Sequence, residues 1–344
     1  MIARLRELLV LLTAVVVAAL VAAVAGEFAV RVYTKQPLWP LVPPKPYIDS
    51  RLFYLKSPTR LYEMRPGIDD EIGYEHVRIT INGLGFRAAS DPVVPKPPGT
   101  WRAIVLGDSF TFSGKVPIEK TFAAQLEAML GTGDTSRRYE VLNFGVPGYK
   151  SAQQLAFLRE KGLPLAPDVV IVDLTLNAAA PPVQLVPARD SRWPALNRFS
   201  KRFHLVQFLY ANWKQYGYLL RGRLLHRGEN FADLAEGSPR WDATRADLAE
   251  MKRVTEASGA KLFVVMWPVF VQLEDYPYVA KHELVERACR ELGIPELDLL
   301  PAFRGMDART LWANPDDHHP NPIAQRKVAE TVHAALADGG FLPR

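Results

Sequence analysis

Serine, histidine and aspartate, the residue types of nucleophilic catalysis, stand in two short blocks far apart in this chain: Gly107-Asp108-Ser109-Phe110 and Asp316-Asp317-His318-His319-Pro320-Asn321. A serine hydroxyl is a poor nucleophile at neutral pH and needs an adjacent base to remove its proton. An imidazole, with an ordinary pKa of about 6.5, can take that proton and return it to a leaving group. A carboxylate beside the second ring nitrogen fixes the tautomer and stabilises the charged ring. Asp and His are also metal ligands. A metal reading of 316–319 finds no second His/Asp/Glu cluster in the sequence and leaves the serine block unexplained, so no metal is expected. Two further blocks, Asn143-Phe144-Gly145-Val146-Pro147-Gly148-Tyr149 and Thr175-Leu176-Asn177, offer backbone and side-chain amides. Ser113 and Ser151 compete nominally as nucleophiles, but Ser151 with Gln154 reads as a helix-capping box.

The blocks follow apolar runs. AIVL (103–106), YEVLNF (139–144), DVVIVDLTL (168–176), KLFVVMW (261–267) and ELDLL (296–300) read as parallel strands covered on both faces. Helical patterns lie between them. Thr121 caps one in which Phe122, Leu126, Met129 and Leu130 share a face, another runs through 243–259, and Asn321-Pro322 opens the last, which Gly339 ends. The alternation implies an α/β fold, a three-layer α/β/α sandwich on a central five-stranded parallel sheet with right-handed crossovers. In such sheets sites form at the carboxyl ends of the strands, which is where the four blocks fall. Asp108 is expected to hold the serine loop by hydrogen bonds, and Gly145 to serve as a turn residue. Asp173, inside the third strand, needs a partner if buried.

In order and placement the blocks resemble those of the SGNH (GDSL-like) hydrolases. GDSF matches the family's nucleophile block, LNFGVPGY its glycine block, Leu176-Asn177 its asparagine position and DDHHPN its Asp-x-x-His-Pro block. The resemblance covers about residues 101–340. It implies a flavodoxin-like sheet order, Ser109 as nucleophile, His319 as base and Asp316, three residues before it, as the orienting acid. It also implies an oxyanion hole made by the backbone N–H groups of Ser109 and Gly148 and the Asn177 side chain. Thr175 and Ala178 flank Leu176-Asn177 where the family often has Gly-x-Asn-Asp. The activity implied is that of a serine ester hydrolase acting through an acyl-enzyme.

Arg4 and Arg6 precede an uncharged run from Leu8 to Ala25 that would span roughly 27 Å as a helix at about 1.5 Å per residue. Residues 1–34 are therefore expected to be a transmembrane anchor with a cytoplasmic N-terminus, or else a signal peptide cleaved near Ala23-Val24-Ala25. Residues 35–100 read as a proline-rich stalk with a strand and turn extension (HVRITIN, 76–82), and 101–344 as the catalytic domain. A helical insertion is expected at about 178–240, with a helix over 202–225. Cys289 is the only cysteine, so no intrachain disulfide is possible, and its helical setting reads as structural. With 48% hydrophobic and 23% charged residues the chain is globular, and its charges are interspersed, which disfavours nucleic acid as a partner. No nucleotide or other cofactor fingerprint appears. The expected protein is single-pass at the cytoplasmic membrane, with its catalytic domain periplasmic or otherwise extracytoplasmic. Its expected substrate is an acyl ester of a carbohydrate, with two alternatives: an O-acyltransferase for a polysaccharide, or a non-catalytic glycan-binding protein.

Overall fold

Helix α1 (Ile2–Tyr33) opens the chain. Its Val10–Tyr33 stretch is long and apolar enough to cross a membrane, with a mean hydropathy of 2.4. The computed structural model describes residues 2–33, 53–70, 77–133, 136–183, 231–314 and 317–343, together with 203, 205–206 and 209. The chain divides into two compact units: Met1–Asp49 with Pro187–Asn230, and Ser50–Val186 with Phe231–Arg344. In the first, the Glu27 carboxylate bonds Arg31 at 2.9 Å and accepts the backbone N–H of Leu205 at 2.8 Å. Most of the helix expected over 202–225, and the stalk at 35–50, lie outside the described residues.

The second unit begins with two small antiparallel pairs, β1 (Tyr54–Ser57) with β2 (Leu61–Met64) and β3 (Ile68–Asp70) with β4 (Ile79–Ile81). After them strands and helices alternate. β5 (Thr100–Gly107) leads into the one-turn helix α2 (Ser109–Phe112), and α3 (Phe122–Gly133) precedes β6 (Arg138–Gly145). α4 (Ser151–Phe157), β7 (Val169–Leu174), α5 (Pro239–Ala257) and β8 (Lys261–Met266) follow. The chain ends with α6 (Val279–Leu292), β9 (Glu296–Asp298), α7 (Leu300–Phe303), the β10 (Trp312–Asn314) and β11 (Asp317–Pro320) hairpin, and α8 (Pro322–Asp338).

β5 to β9 form one parallel sheet in the order β6-β5-β7-β8-β9. These are the five expected strands, shifted by a few residues at their ends. Every residue of β5 is buried, as a central strand covered on both faces requires. One face packs Ala103, Val105, Ile171, Val265 and Trp267 under Phe122 and Leu126 of α3 and Val328 and Val332 of α8. On the other, Ile104 meets Gly162, which follows α4, and α4 packs on α5. Because the chain leaves β5 toward β6 on one side and returns to β7 on the other, the sheet has its topological switch point at the carboxyl end of β5.

Local capping sets where the helices start. Asn321 Oδ1 accepts from the N–H groups of Ile323 and Ala324 at 2.9 and 3.1 Å, with Pro322 in the first turn, as its sequence suggests. Ser151, by contrast, is not the cap of α4. Lys150 holds that position, with the Gln153 side chain accepting its N–H at 3.1 Å, and the Ser151 hydroxyl instead donates to Asp247 at 2.6 Å. Cys289 is buried, and burial pushes its thiol up to about 12, which suits a packing residue and not a nucleophile.

Candidate active site

The turn from β5 into α2 is made by Asp108. Its Oδ1 accepts the Phe110 N–H at 2.9 Å and its Oδ2 accepts the Thr175 hydroxyl at 2.9 Å. The serine loop is thereby tied to the chain leaving β7, the holding role expected of Asp108. Gly107 and Gly145, paired across β5 and β6, make room for α2. A Cβ on Gly145 would overlap the backbone of Thr111 and Phe112. Gly145 is thus a close-approach glycine inside β6, and not the turn residue expected from its position.

Ser109 Oγ lies 2.8 Å from His319 Nε2. The strand β11 delivers the imidazole, and strand alternation decides what else it delivers. Asp317 and His319, two apart, share one face, while His318 points to the other and stacks on Trp312 with ring centroids 4.1 Å apart. Asp317 Oδ1 sits 2.5 Å from His319 Nδ1 and also accepts the His319 backbone N–H at 2.9 Å. The carboxylate on Nδ1 is therefore that of Asp317. The expected acid, Asp316, lies outside the described residues, and the bond assigned to it is made by its neighbour. With Nδ1–H donated to a carboxylate, Nε2 is left as acceptor for the serine proton.

The other oxygen of that carboxylate, Oδ2, forms an ion pair with Lys115 Nζ. Burial pushes the Asp317 carboxyl upward, but the hydrogen bond and charge of His319 and the bond from Lys115 outweigh it. They hold Asp317 well below the usual carboxylate range. A cavity of about 190 Å³ adjoins the serine, lined by Ser109, Phe112, Lys115, Pro147, Asp317, His319 and Pro320 among others.

Gly148 and Asn177 leave the neighbouring strands β6 and β7, which flank β5. Neither lines that cavity, although Pro147, beside Gly148, does. Gly148 has φ +82°, a left-handed conformation that favours glycine, and a Cβ there would sit 2.7 Å from the Tyr62 hydroxyl. That hydroxyl donates to Pro147 O at 2.7 Å, and Tyr149 donates back to Tyr62 O at 2.6 Å, so the β1–β2 hairpin props the glycine block. The Lys150 ammonium donates to Asn177 O at 2.8 Å, linking the two loops.

Asp173 is fully buried beneath α2 and has found a partner, the Thr111 hydroxyl, at 2.6 Å. Burial dominates over that bond and pushes its carboxyl from 3.8 up to about 8, so the folded protein keeps a proton there that the unfolded chain loses. The folded state therefore loses stability as pH rises from about 4 to about 8. Asp173→Asn keeps an oxygen for Thr111 and carries no charge. Urea unfolding at pH 5 and pH 8 is expected to show the variant gaining on wild type as pH rises; a pH-independent difference would contradict this.

Sequence reasoning passed over Lys115, Arg87, Tyr62 and Lys150, all of which brace the site. Buried Arg87 donates to the carbonyl oxygens of Phe112, Ser113 (2.5 Å) and Val116 (2.6 Å). Only the basic residue types, lying near the serine and glycine blocks, could have flagged Lys115 and Lys150; nothing local marks Arg87 or Tyr62.

A family model described as GDSL-like Lipase/Acylhydrolase matches residues 105–327. No curated protein shows significant similarity to the chain. Among solved structures, the chain is similar to TesA at 18% identity, covering 70% of this chain and 99% of that one with a TM-score of 0.45. An acetylxylan esterase from Geobacillus stearothermophilus is 15% identical, with 70% and 95% covered and a TM-score of 0.45. A two-domain esterase active on acetylated mannans is 14% identical, with a TM-score of 0.44; the match covers 70% of this chain and 49% of that protein, about half its length.

Proposed function

Because the chain belongs to the GDSL-like lipase/acylhydrolase family, we propose that it hydrolyses short acyl esters, outside the cytoplasm, through an acyl-enzyme on Ser109. The observation that carries this reading is the continuous chain Ser109 Oγ–His319 Nε2 (2.8 Å) and His319 Nδ1–Asp317 Oδ1 (2.5 Å) lining a small cavity. In the first half-reaction the Ser109 oxygen attacks the ester carbonyl carbon as its proton passes to Nε2. The resulting tetrahedral oxyanion accepts hydrogen bonds from the Ser109 and Gly148 N–H groups and the Asn177 side-chain amide, each such donor being worth roughly 3–4 kcal/mol. Collapse breaks the bond to the alcohol oxygen, which takes the proton from the imidazolium. Water then repeats the sequence on the acyl-enzyme, with His319 as base, and releases the acid. Asp317 keeps Nδ1–H pointed inward and balances the imidazolium charge.

The cavity favours a small acyl group: about 190 Å³ falls short of the roughly 300 Å³ at which sites for drug-sized ligands begin. The apolar Val10–Tyr33 stretch, with Arg4 and Arg6 before it, supports a single-pass anchor with the hydrolase on the far side of the membrane. That location makes an O-acetylated envelope or exopolysaccharide glycan the favoured substrate. With full-length protein in detergent, kcat/KM is expected to be highest for p-nitrophenyl acetate and to fall through butyrate to octanoate, with free acetate released from an acetylated xylan. Preference for octanoate would overturn the short-acyl reading. Acetate recovered on an added acceptor glycan, in place of free acetate, would indicate transfer.

A further inference from the structure

We propose that Lys115 is a positioning residue for catalysis, the fourth member of a Ser109–His319–Asp317–Lys115 chain that fixes the orienting carboxylate from its far side. The inference rests on the reading of Ser109 and His319 as nucleophile and base. Asp317 has two oxygens and both are committed. Oδ1 takes the imidazole Nδ1–H and the His319 backbone N–H, and Oδ2 takes the Lys115 ammonium. A carboxylate held at one oxygen can rotate about its last torsion; one held at both cannot, and the imidazole it carries is held with it.

Lys115 is itself built into place. It comes from the loop that follows the nucleophile helix, and its side chain is 19% exposed. The Arg87 guanidinium grips that loop by the carbonyl oxygens of Phe112, Ser113 and Val116, on both sides of Gly114-Lys115. Ser113, at φ 53°, closes α2 in a left-handed turn. Nucleophile and lysine are thus two ends of one short braced segment, while base and acid are two residues of one strand. The Lys115–Asp317 pair joins segment to strand on the side opposite the serine–imidazole bond.

The pair also sets charge. Among the described residues, Asp317 on β11 is the charged group bonded to His319, and Lys115 on the loop is paired with that carboxylate. Asp108 is engaged by Phe110 N–H and the Thr175 hydroxyl, and His318 faces the other side of β11. Phe110, 5.4 Å from the imidazole between ring centroids, is apolar. Removing the lysine leaves the Asp317 charge unopposed, which favours the protonated, non-basic imidazole.

The test compares full-length wild type, Lys115→Met and Lys115→Arg by kinetics and by proton NMR of the Nδ1–H resonance. That proton, held against a carboxylate, gives a downfield signal whether or not the protein turns over any ester, and Asp317→Asn identifies it by its loss. Lys115→Met is expected to lower kcat by roughly ten- to a hundredfold, as loss of a hydrogen bond to a charged group does. KM is expected to stay within about threefold, and the acidic limb of kcat/KM to move to higher pH. Its Nδ1–H signal should broaden or shift, and Lys115→Arg should recover both readouts. A Lys115→Met protein with the wild-type resonance, or with wild-type kcat and acidic limb, would overturn the proposal, as would Lys115→Arg behaving like Met. If Lys115→Met does not fold, Lys115→Gln is read in its place by the same criteria. A changed resonance in a protein that hydrolyses nothing would sink the hydrolase reading and leave the positioning role standing.

Discussion

Ser109→Ala and His319→Ala are each expected to lower kcat by about 10⁶-fold on p-nitrophenyl acetate, with the double variant scarcely worse than either. The expectation follows from the geometry. The serine hydroxyl is already 2.8 Å from Nε2, so the proton leaves along an existing hydrogen bond, and either half of the pair is useless without the other. In the proposed mechanism Ser109 also donates its backbone N–H to the oxyanion, a role that alanine keeps. Residual rates should therefore exceed the uncatalysed reaction by about 10³-fold, because the oxyanion donors and the binding surface survive. Neither side chain carries a large share of the fold: Ser109 is half-buried at the start of a one-turn helix and His319 side-chain exposure is 42%. Melting temperatures close to wild type, measured beside kcat, separate loss of chemistry from loss of structure. A clear difference between single and double variants would mean that serine and histidine do not act as a unit.

Asp317→Asn is expected to lower kcat by about 10⁴-fold, and Asp316→Asn to leave it within a few-fold of wild type. In the first of these variants the amide can present its nitrogen to Nδ1, which favours the tautomer with the proton on Nε2, the wrong one for accepting from Ser109. The pair discriminates sharply because the two residues are adjacent and of one type. Family spacing, three residues before the histidine, selects Asp316. Strand alternation, two residues before, selects Asp317, and the 2.5 Å contact to Nδ1 is made there. Steady-state kinetics on the two variants decides between them; the large loss appearing in Asp316→Asn would restore the spacing argument. Because His319 and Lys115 hold Asp317 well below the usual carboxylate range, this carboxyl should leave no limb of its own in the wild-type profile at ordinary pH.

The sheet was legible in the sequence because parallel strands buried on both faces read as unbroken apolar runs. AIVL, at the heart of β5, is the clearest of them. The order of the blocks then put Ser109 just after the first strand of the sheet and His319 past the last, on the carboxyl-end side, and the 2.8 Å contact fits that placement. What the sequence blurred was parity and register over one residue. The doubled Asp316-Asp317 hides which carboxylate shares a face with His319, and the α4 cap falls on Lys150 and not Ser151 because Gln153, not Gln154, reaches the cap. Contacts between distant segments left no local trace. Thr111 meets Asp173 across 62 residues, Arg87 reaches Phe112 across 25, and Tyr62 reaches Pro147 across 85. Each depends on the completed fold, and none has a periodicity or cap to announce it. The Gly145 error has the same origin: a glycine beside a proline-containing turn reads as part of it, whereas its lack of a Cβ serves α2, some thirty residues away in sequence.

The most direct test of the central claim is to trap the nucleophile. Full-length protein, wild type and Ser109→Ala, is treated with a fluorophosphonate, and the adduct is located by peptide mass spectrometry. One phosphonyl group per wild-type chain is expected, on the peptide carrying Ser109, slowed in His319→Ala and absent from Ser109→Ala. Folded wild type that stays unlabelled, or a label on Ser113 or Ser151 that survives Ser109→Ala, would contradict the claim.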